Sequence, residues 1–435
     1  MENAPSAATG SPRSWFPPLL RERPFRRFWI GQTISHFGDQ VSGIALPLVG
    51  VLALDASPAQ MGYLGAAGVA PNLLVSLHAG AFVDRHGRRR HTMIVADAGR
   101  ALLLATIPVA YWLDALTFAH LYGVAFLTGV LTVFFFVSYN TLFVSLVPRE
   151  RYVDGNSLLN GSRAFSFVAG PSVGGLLVQL ISAPVTLVAD ALSFVASALY
   201  LRSINPVEPP TAEPAPGQLT EGLRFIRRSP TLLAKLAATA TINFFNFVFF
   251  ALFILYATRE LGVSAALLGL ILGAGAVGGL VGSVAAGRIT RRLGIGPAFV
   301  LGCVLFPAPF LLVPLAGGPR PLVLALLFAF EFGTGFGVML LDITGGAIQQ
   351  ALVPDRLRAR VSGAYMVVNF GVRPLGALAG GVLGTAIGLR PSLWVAAAGG
   401  VAGILFLLPS PIPRLRELPD AVEVDVDAIG LERVT

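Results

Sequence analysis

The fold class this sequence predicts is an all-α membrane protein of twelve transmembrane helices, and three observations predict it. Hydrophobic residues make up 54% of the 435-residue chain and charged residues only 12%, with a mean hydropathy of +0.74. A soluble domain carries about 25% charged residues and cannot cover its surface with half of that. Apolar stretches near the roughly 20 residues needed to cross a bilayer recur along the whole chain. Basic residues concentrate in alternate breaks between those stretches.

The stretches lie at 27–54, 59–83, 92–113, 118–146, 157–180, 183–203, 231–257, 263–287, 297–317, 321–350, 361–388 and 391–409, and are numbered spans 1 to 12. Their lengths predict helices, because a barrel strand needs only about ten residues of alternating character. Twenty-four arginines fall in the two terminal segments and in the breaks after spans 2, 4, 6, 8 and 10. Only Arg259, Arg320 and Arg390 lie on the other side. The excess of positive charge on the inner side places both termini in the cytoplasm of a cell (inner) membrane protein. It also accounts for the net charge of +8. That charge is spread over seven segments rather than gathered on one face, which argues against nucleic acid as a partner. Residues 1–26 lack the apolar core of a cleavable signal peptide, and the single cysteine, Cys303, excludes a disulfide framework or a cysteine metal site.

The chain divides into a cytoplasmic N-terminal segment (1–26), a six-helix unit (27–204), a linker (205–230), a second six-helix unit (231–410) and an acidic tail (411–435) expected to be disordered. Residues 205–217 are rich in proline and glutamate. Residues 218–230 predict a short amphipathic helix on the cytoplasmic surface. The two units repeat each other. Gly80, Arg85 and Gly87 after span 2 match Gly287, Arg292 and Gly294 after span 8, and Leu146-Val147-Pro148 matches Leu352-Val353-Pro354. Gly174-Gly175 in span 5 matches Gly380-Gly381 in span 11 at nearly the same offset. A parallel repeat of six spans places a substrate site near mid-membrane between the halves.

These motifs carry a resemblance. The run Gly80-Ala-Phe-Val-Asp84-Arg85-His-Gly87-Arg88-Arg89 is similar to the signature after helix 2 of the major facilitator superfamily. Gly170-Pro171-Ser-Val-Gly174-Gly175 resembles the helix-5 signature of that family's proton-driven antiporters. Phe25-Arg-Arg-Phe28, Gly38-Asp39, Ala45-Leu-Pro-Leu48, Asp97 with Arg100, and Glu221-Gly-Leu-Arg-Phe-Ile226 are similar to the group that includes macrolide efflux proteins, the enterobactin exporter and lysophospholipid transporters. The resemblance implies the major facilitator fold, two six-helix bundles related by pseudo-two-fold symmetry, and transport without an enzymatic step. It also implies that Asp84 approaches the N-terminus of span 11, where the helix dipole favours an anion, and latches the halves. One departure stands out. Many drug/proton antiporters have an arginine in span 4, and residues 118–146 contain none.

Physical reasons accompany the motifs. Gly80 allows close helix approach, and Gly87 allows a turn of positive φ. Pro171 removes a backbone hydrogen bond and is expected to bend span 5. The flanking glycines are expected to pack against glycine-rich span 8. Charges within spans are costly, so each is expected to face a cavity or a partner. Asp39 and Glu331 are the candidate proton carriers, because a carboxyl shielded from bulk water suits proton exchange. For Asp39, a permanent ion pair with an arginine of span 5 or span 11 is the competing role. Arg163, Arg373, Asn243 and Asn246 are candidate substrate or coupling residues. Asp97 and Arg100, three apart on one face, read as a structural charge pair. Asp190 and Asp342 also lie within spans, and His36 stands one turn before Asp39. The phenylalanines of span 7, Phe244 to Phe250, suit an aromatic cavity for amphiphiles or a lipid-facing surface.

The function these features predict is a secondary active transporter. Its expected action is proton-coupled efflux of a lipophilic drug or a secreted natural product, macrolide-like or siderophore-like, by alternating access. Alternatives are a lysophospholipid transporter or a proton-coupled importer. The expected partners are a small-molecule substrate, protons and the lipid bilayer. The chain is expected to act as a monomer with no cofactor and no metal, and no nucleotide-binding glycine loop supports coupling to ATP.

Overall fold

The computed structural model describes residues 17–206 and 218–418. The expectations for residues 1–16, for the proline-rich linker 207–217 and for the tail from 419 onward lie outside the described residues. So does the side chain of Asp84.

Among the described residues every regular element is helical. Span 1 is Arg23–Leu48, continued by a π-helical turn Val49–Ala53. Span 2 is broken at Val75 into Pro58–Leu74 and Ser76–His86. Spans 3 to 6 are Arg89–Trp112, Phe118–Leu146, Tyr152–Ile181 and Ala183–Arg202. Spans 7 and 8 are Pro230–Arg259 and Ala265–Leu293. Span 9 is interrupted, with Ile295–Leu305 and Leu312–Leu315 joined through a 3-10 turn. Spans 10 to 12 are Arg320–Leu352, Arg358–Ile387 and Leu389–Ala402. Local chemistry sets several starts. Ser57 and Gln60 form a reciprocal capping box ahead of Pro58, and Thr117, Ser229 and Ser264 cap spans 4, 7 and 8.

Ten of these helices are long and apolar enough to cross a membrane by length and composition. The other two spans complete the twelve. Span 2 is divided by its break. Span 1 is more polar, with Gln32, Thr33, His36, Asp39 and Gln40 on consecutive turns. Leucines and valines such as Leu102, Leu180, Val284 and Val382 stand exposed along the outside of the bundles, the surface that a lipid solvent covers.

Packing repeats in the two halves. Span 1 packs on spans 5 and 6, span 4 on spans 2 and 3, and span 3 on span 6. Likewise span 7 packs on spans 11 and 12, span 10 on spans 8 and 9, and span 9 on span 12. The halves meet through span 5 on span 8 and span 2 on span 11, two pairings that exchange under the same two-fold relation.

Those cross-half contacts lie at the end away from the chain termini. A Cβ on Gly175 would run into the Ala265 carbonyl, and one on Gly269 into that of Pro171. A Cβ on Gly62 would come within 2.7 Å of the Ala377 carbonyl, and one on Gly381 within 3.1 Å of the Gly62 and Ala59 Cα atoms. Small residues let the backbones touch here. An ion pair between Asp55 and Arg259 bridges the halves at the same end.

The opposite end is organised differently. Gly87 has φ 62°, the left-handed turn expected of it. Arg90 donates to the Ile204 carbonyl and to Asn205, and Arg27 donates to the Ser203 carbonyl, tying the end of span 6. Among the described residues nothing lies within 4 Å of a Cβ built at Gly80. Contact between the halves is concentrated at the far end, so this face of span 2 has no neighbour to approach. The linker helix Gln218–Arg228 packs on spans 7 and 11, burying Phe225 and Ile226, and Glu221 pairs with Arg360. Residues 411–418 are held against the span 8–span 9 turn, with Ile412 buried and the Leu415 and Arg416 carbonyls accepting from Gly296 and Ile295.

Candidate functional site

Span 1 comes unusually close to span 6, because Gly38 leaves no room for a Cβ beside Ser193 and Asp190. That approach carries Asp39 into a cluster of charges from four spans. Arg100 of span 3 pairs closely with Asp97, and its Nη1 lies 3.7 Å from Asp39 Oδ1. Phe194 and Phe135 sandwich the guanidinium, with centroids 4.0 and 4.5 Å from Cζ, a favourable setting for a desolvated cation. Asp190 accepts a 2.8 Å hydrogen bond from Ser193. The exposed Arg163 of span 5 adds its charge to both Asp39 and His36. The partner of Asp39 is therefore an arginine of span 3, not of span 5 or span 11. The Asp97–Arg100 pair is part of the Asp39 cluster rather than a separate structural element.

Exposure separates the three acids. Asp97 and Asp190 are buried, at 0% and 1%. The Asp39 side chain is 34% exposed and His36 Nδ1 stands 3.9 Å from its Oδ2. Asp39 is thus the most exposed of the three acids.

Beside it lies a cavity of about 500 Å³ shared by the two halves. Ser42, Asn72, Thr128 and Thr132 line its first-half wall, and Phe247, Phe250 and Ala377 line the second-half wall. Arg100 donates to Thr132 at 3.5 Å, so the charge cluster and the cavity share a wall. The span 7 phenylalanines divide by direction. Phe249 and Phe253 stack with Phe310 and Phe330 in the core of the second half. Phe247 and Phe250 face the cavity, and Phe244, Phe245, Phe247 and Phe250 are half-buried while Phe249 is buried.

The other expected residues are distributed as follows. Gly170 and Gly174 pack on span 1 at Gln40 and Val41, while Pro171 and Gly175 pack on span 8. The antiporter-like motif therefore forms the far-end seam on both faces of span 5, and the helix runs unbroken through Pro171. Glu331 is buried between spans 8 and 10 against Gly275, with Oε1 lacking a hydrogen-bond partner among the described residues, and it lines neither cavity described here. Asn243, Asn246 and Arg373 do come together. With Thr239, Phe306 and Asp342 they line a second cavity of about 310 Å³ within the C-terminal half. Asn243 donates to Asn369 at 3.1 Å. One turn away, buried Lys235 donates to Gln349 at 2.7 Å and lies over the Tyr365 ring. The sequence reading of the charged residues does not single out Lys235. A signal for it exists, because it is the chain's one lysine and sits inside a span. Among the described residues no cluster of His, Cys, Asp and Glu has the arrangement of a metal site.

A family model, the Major Facilitator Superfamily, matches residues 28–373. The chain belongs to the major facilitator superfamily. Among this superfamily's curated members, the multidrug efflux pump Tap of Mycobacterium tuberculosis is 28% identical over 413 residues, covering 90% of this chain and 93% of that protein. The Tap pump of Mycolicibacterium fortuitum is 26% identical, with 88% and 93% covered. The uncharacterized MFS-type transporter YfiS of Bacillus subtilis is 27% identical, with 86% and 89% covered. These relatives are transporters, not enzymes. Two solved structures share the fold: the nucleoside transporter NupG, at 14% identity and TM-score 0.71, and a bacterial homologue of the iron transporter ferroportin in its inward-facing state, at 18% and 0.70. They cover 89% and 88% of this chain, and the chain covers 98% of each.

Proposed function

We propose that the protein is a monomeric secondary exporter of the inner membrane, with both termini in the cytoplasm, that couples inward proton flow to extrusion of a lipophilic drug or secreted natural product. The observation that carries the reading is Asp39, the most exposed carboxyl in a buried charge cluster that shares a wall with the central cavity. Its protonation weakens the long contact to Arg100 and the attraction of Arg163, while Arg100 keeps its close pair with Asp97. Loss of the proton restores Arg100 to both acids and tightens span 1 against span 3. A two-state packing change driven by one proton is the element that alternating access needs.

The basic residues of the terminal segments and even-numbered breaks support a cytoplasmic terminal end. The glycine-lined seam at the far end supports a cavity that opens inward in this conformation. The names of the relatives support export. Acidified inverted vesicles carrying the protein test the reading. Adding a transported macrolide or siderophore should release protons from the lumen, with cargo accumulating inside. Accumulation without proton release would refute antiport.

A further inference from the structure

Asp342 and Arg373 face the same small cavity between spans 7, 9, 10 and 11, yet no ion pair joins them. Asp342 feels the charge of Lys235 first and of Arg373 second, and Arg373 feels that of Asp342. Asp342 is exposed on the cavity wall and Arg373 is half-buried, so both charges face the space without closing on each other. Two further polar atoms at this site are buried without hydrogen-bond partners among the described residues: Nε of Arg373 and Oδ1 of Asn246. Buried polar atoms are rarely left unpaired. The site thus presents a cationic donor, an anionic acceptor and an amide oxygen around one space of about 310 Å³.

The space has an apolar outlet. Phe247 lines this cavity and also the central cavity of about 500 Å³, whose walls are mainly apolar. Phe370 covers the guanidinium of Arg373 at 4.2 Å, with the Phe247 ring 5.4 Å away.

We propose that the cavity at Asp342, Arg373 and Asn246 is a head-group site for an amphoteric cargo, one with an ammonium and a carboxylate or phosphate on the same end of an apolar body. The ammonium sits on Asp342 and Asn246 Oδ1, the anion on Arg373, and the body passes Phe247 into the central cavity. This rests on the transporter reading above and narrows its cargo.

Binding of three matched fluorophores to the purified full-length protein in nanodiscs tests it. Nε-dansyl-lysine is amphoteric, dansylcadaverine carries only the cation, and N-dansyl-6-aminohexanoate only the anion. The amphoteric probe should bind about tenfold tighter than either other probe, the contribution of one charge-assisted hydrogen bond. Asp342→Asn should bring it to the level of the anion, and Arg373→Gln to that of the cation. Asp342→Glu and Arg373→Lys keep the charges and should keep the preference, which guards against misfolded neutral variants. Equal binding of all three probes, tightest binding of the cation, or a preference unchanged in both neutral variants would overturn the proposal. The measurement uses no proton gradient. Selective binding by a protein that fails the vesicle assay would sink the export reading and leave this site standing.

Discussion

The two halves of the molecule repeat one packing scheme but hold their charges in opposite ways. In the N-terminal half the charges are closed on one another: Asp97, Arg100 and Asp39 share one guanidinium between two aromatic rings. In the C-terminal half they are kept open. Asp342 and Arg373 stand apart across a cavity, Lys235 bonds a neutral glutamine, and Glu331 has no charged partner among the described residues. A closed network stores a switch, because one proton redistributes a bond already made. An open one leaves polar groups for a ligand to satisfy. On the two proposals made above, one repeated packing scheme serves two tasks through a handful of side chains.

The largest expected effect tests the closed half. Arg100→Gln leaves Asp97 buried without its counter-charge, a loss of about 3–5 kcal/mol. Thermal unfolding in detergent should show a large fall in Tm with loss of transport, whereas Glu331→Gln, which removes an unpartnered carboxylate, should leave Tm unchanged or raise it. Equal destabilisation by the two would erase the contrast between halves.

Asp39→Asn comes next. Substrate-driven proton release from acidified inverted vesicles should vanish while Tm stays near wild type, since the contacts weakened are long ones, 3.7 Å to Arg100 and 3.9 Å to His36. Proton release that persists in this variant moves the coupling role elsewhere in the cluster, to Asp97 or Asp190.

A smaller, conformational effect is expected at the seam the halves share. Gly175→Val pushes a side chain into the Ala265 carbonyl and toward Gly269 Cα, 3.1 Å from the new Cβ. Cys303 is the only native cysteine and is buried, so a single cysteine introduced near Gln179 reports far-end opening by its alkylation rate. That rate should rise in the variant while cargo efflux falls. The smallest effect belongs to Arg259→Ala. Its pair with Asp55 is exposed, and exposed pairs contribute little; the same alkylation rate should change by about twofold or less.

How far each feature was legible follows from its range along the chain. The polar face of span 1 and the mid-span carboxylates stood out residue by residue, because a charge in an apolar stretch is visible wherever it points. What Asp39 touches was not. The arginine it meets is sixty-one residues away on span 3, a neighbour decided by Gly38 letting span 1 settle on span 6. Phe249 and Phe250 are adjacent and equally apolar, yet one belongs to the core and the other to the cavity.

By itself the sequence determined the number of spans, the repeat and the uneven distribution of arginines, because segment length, polarity and loop charge are summed locally against the bilayer. Only the tertiary structure decided which charges close on each other, which stand open to a ligand, and which end of the molecule is sealed. In a lipid solvent a helix is apolar toward both its neighbours and the membrane, so its rotation and partners are set by close packing at particular glycines rather than by any pattern of hydrophobicity.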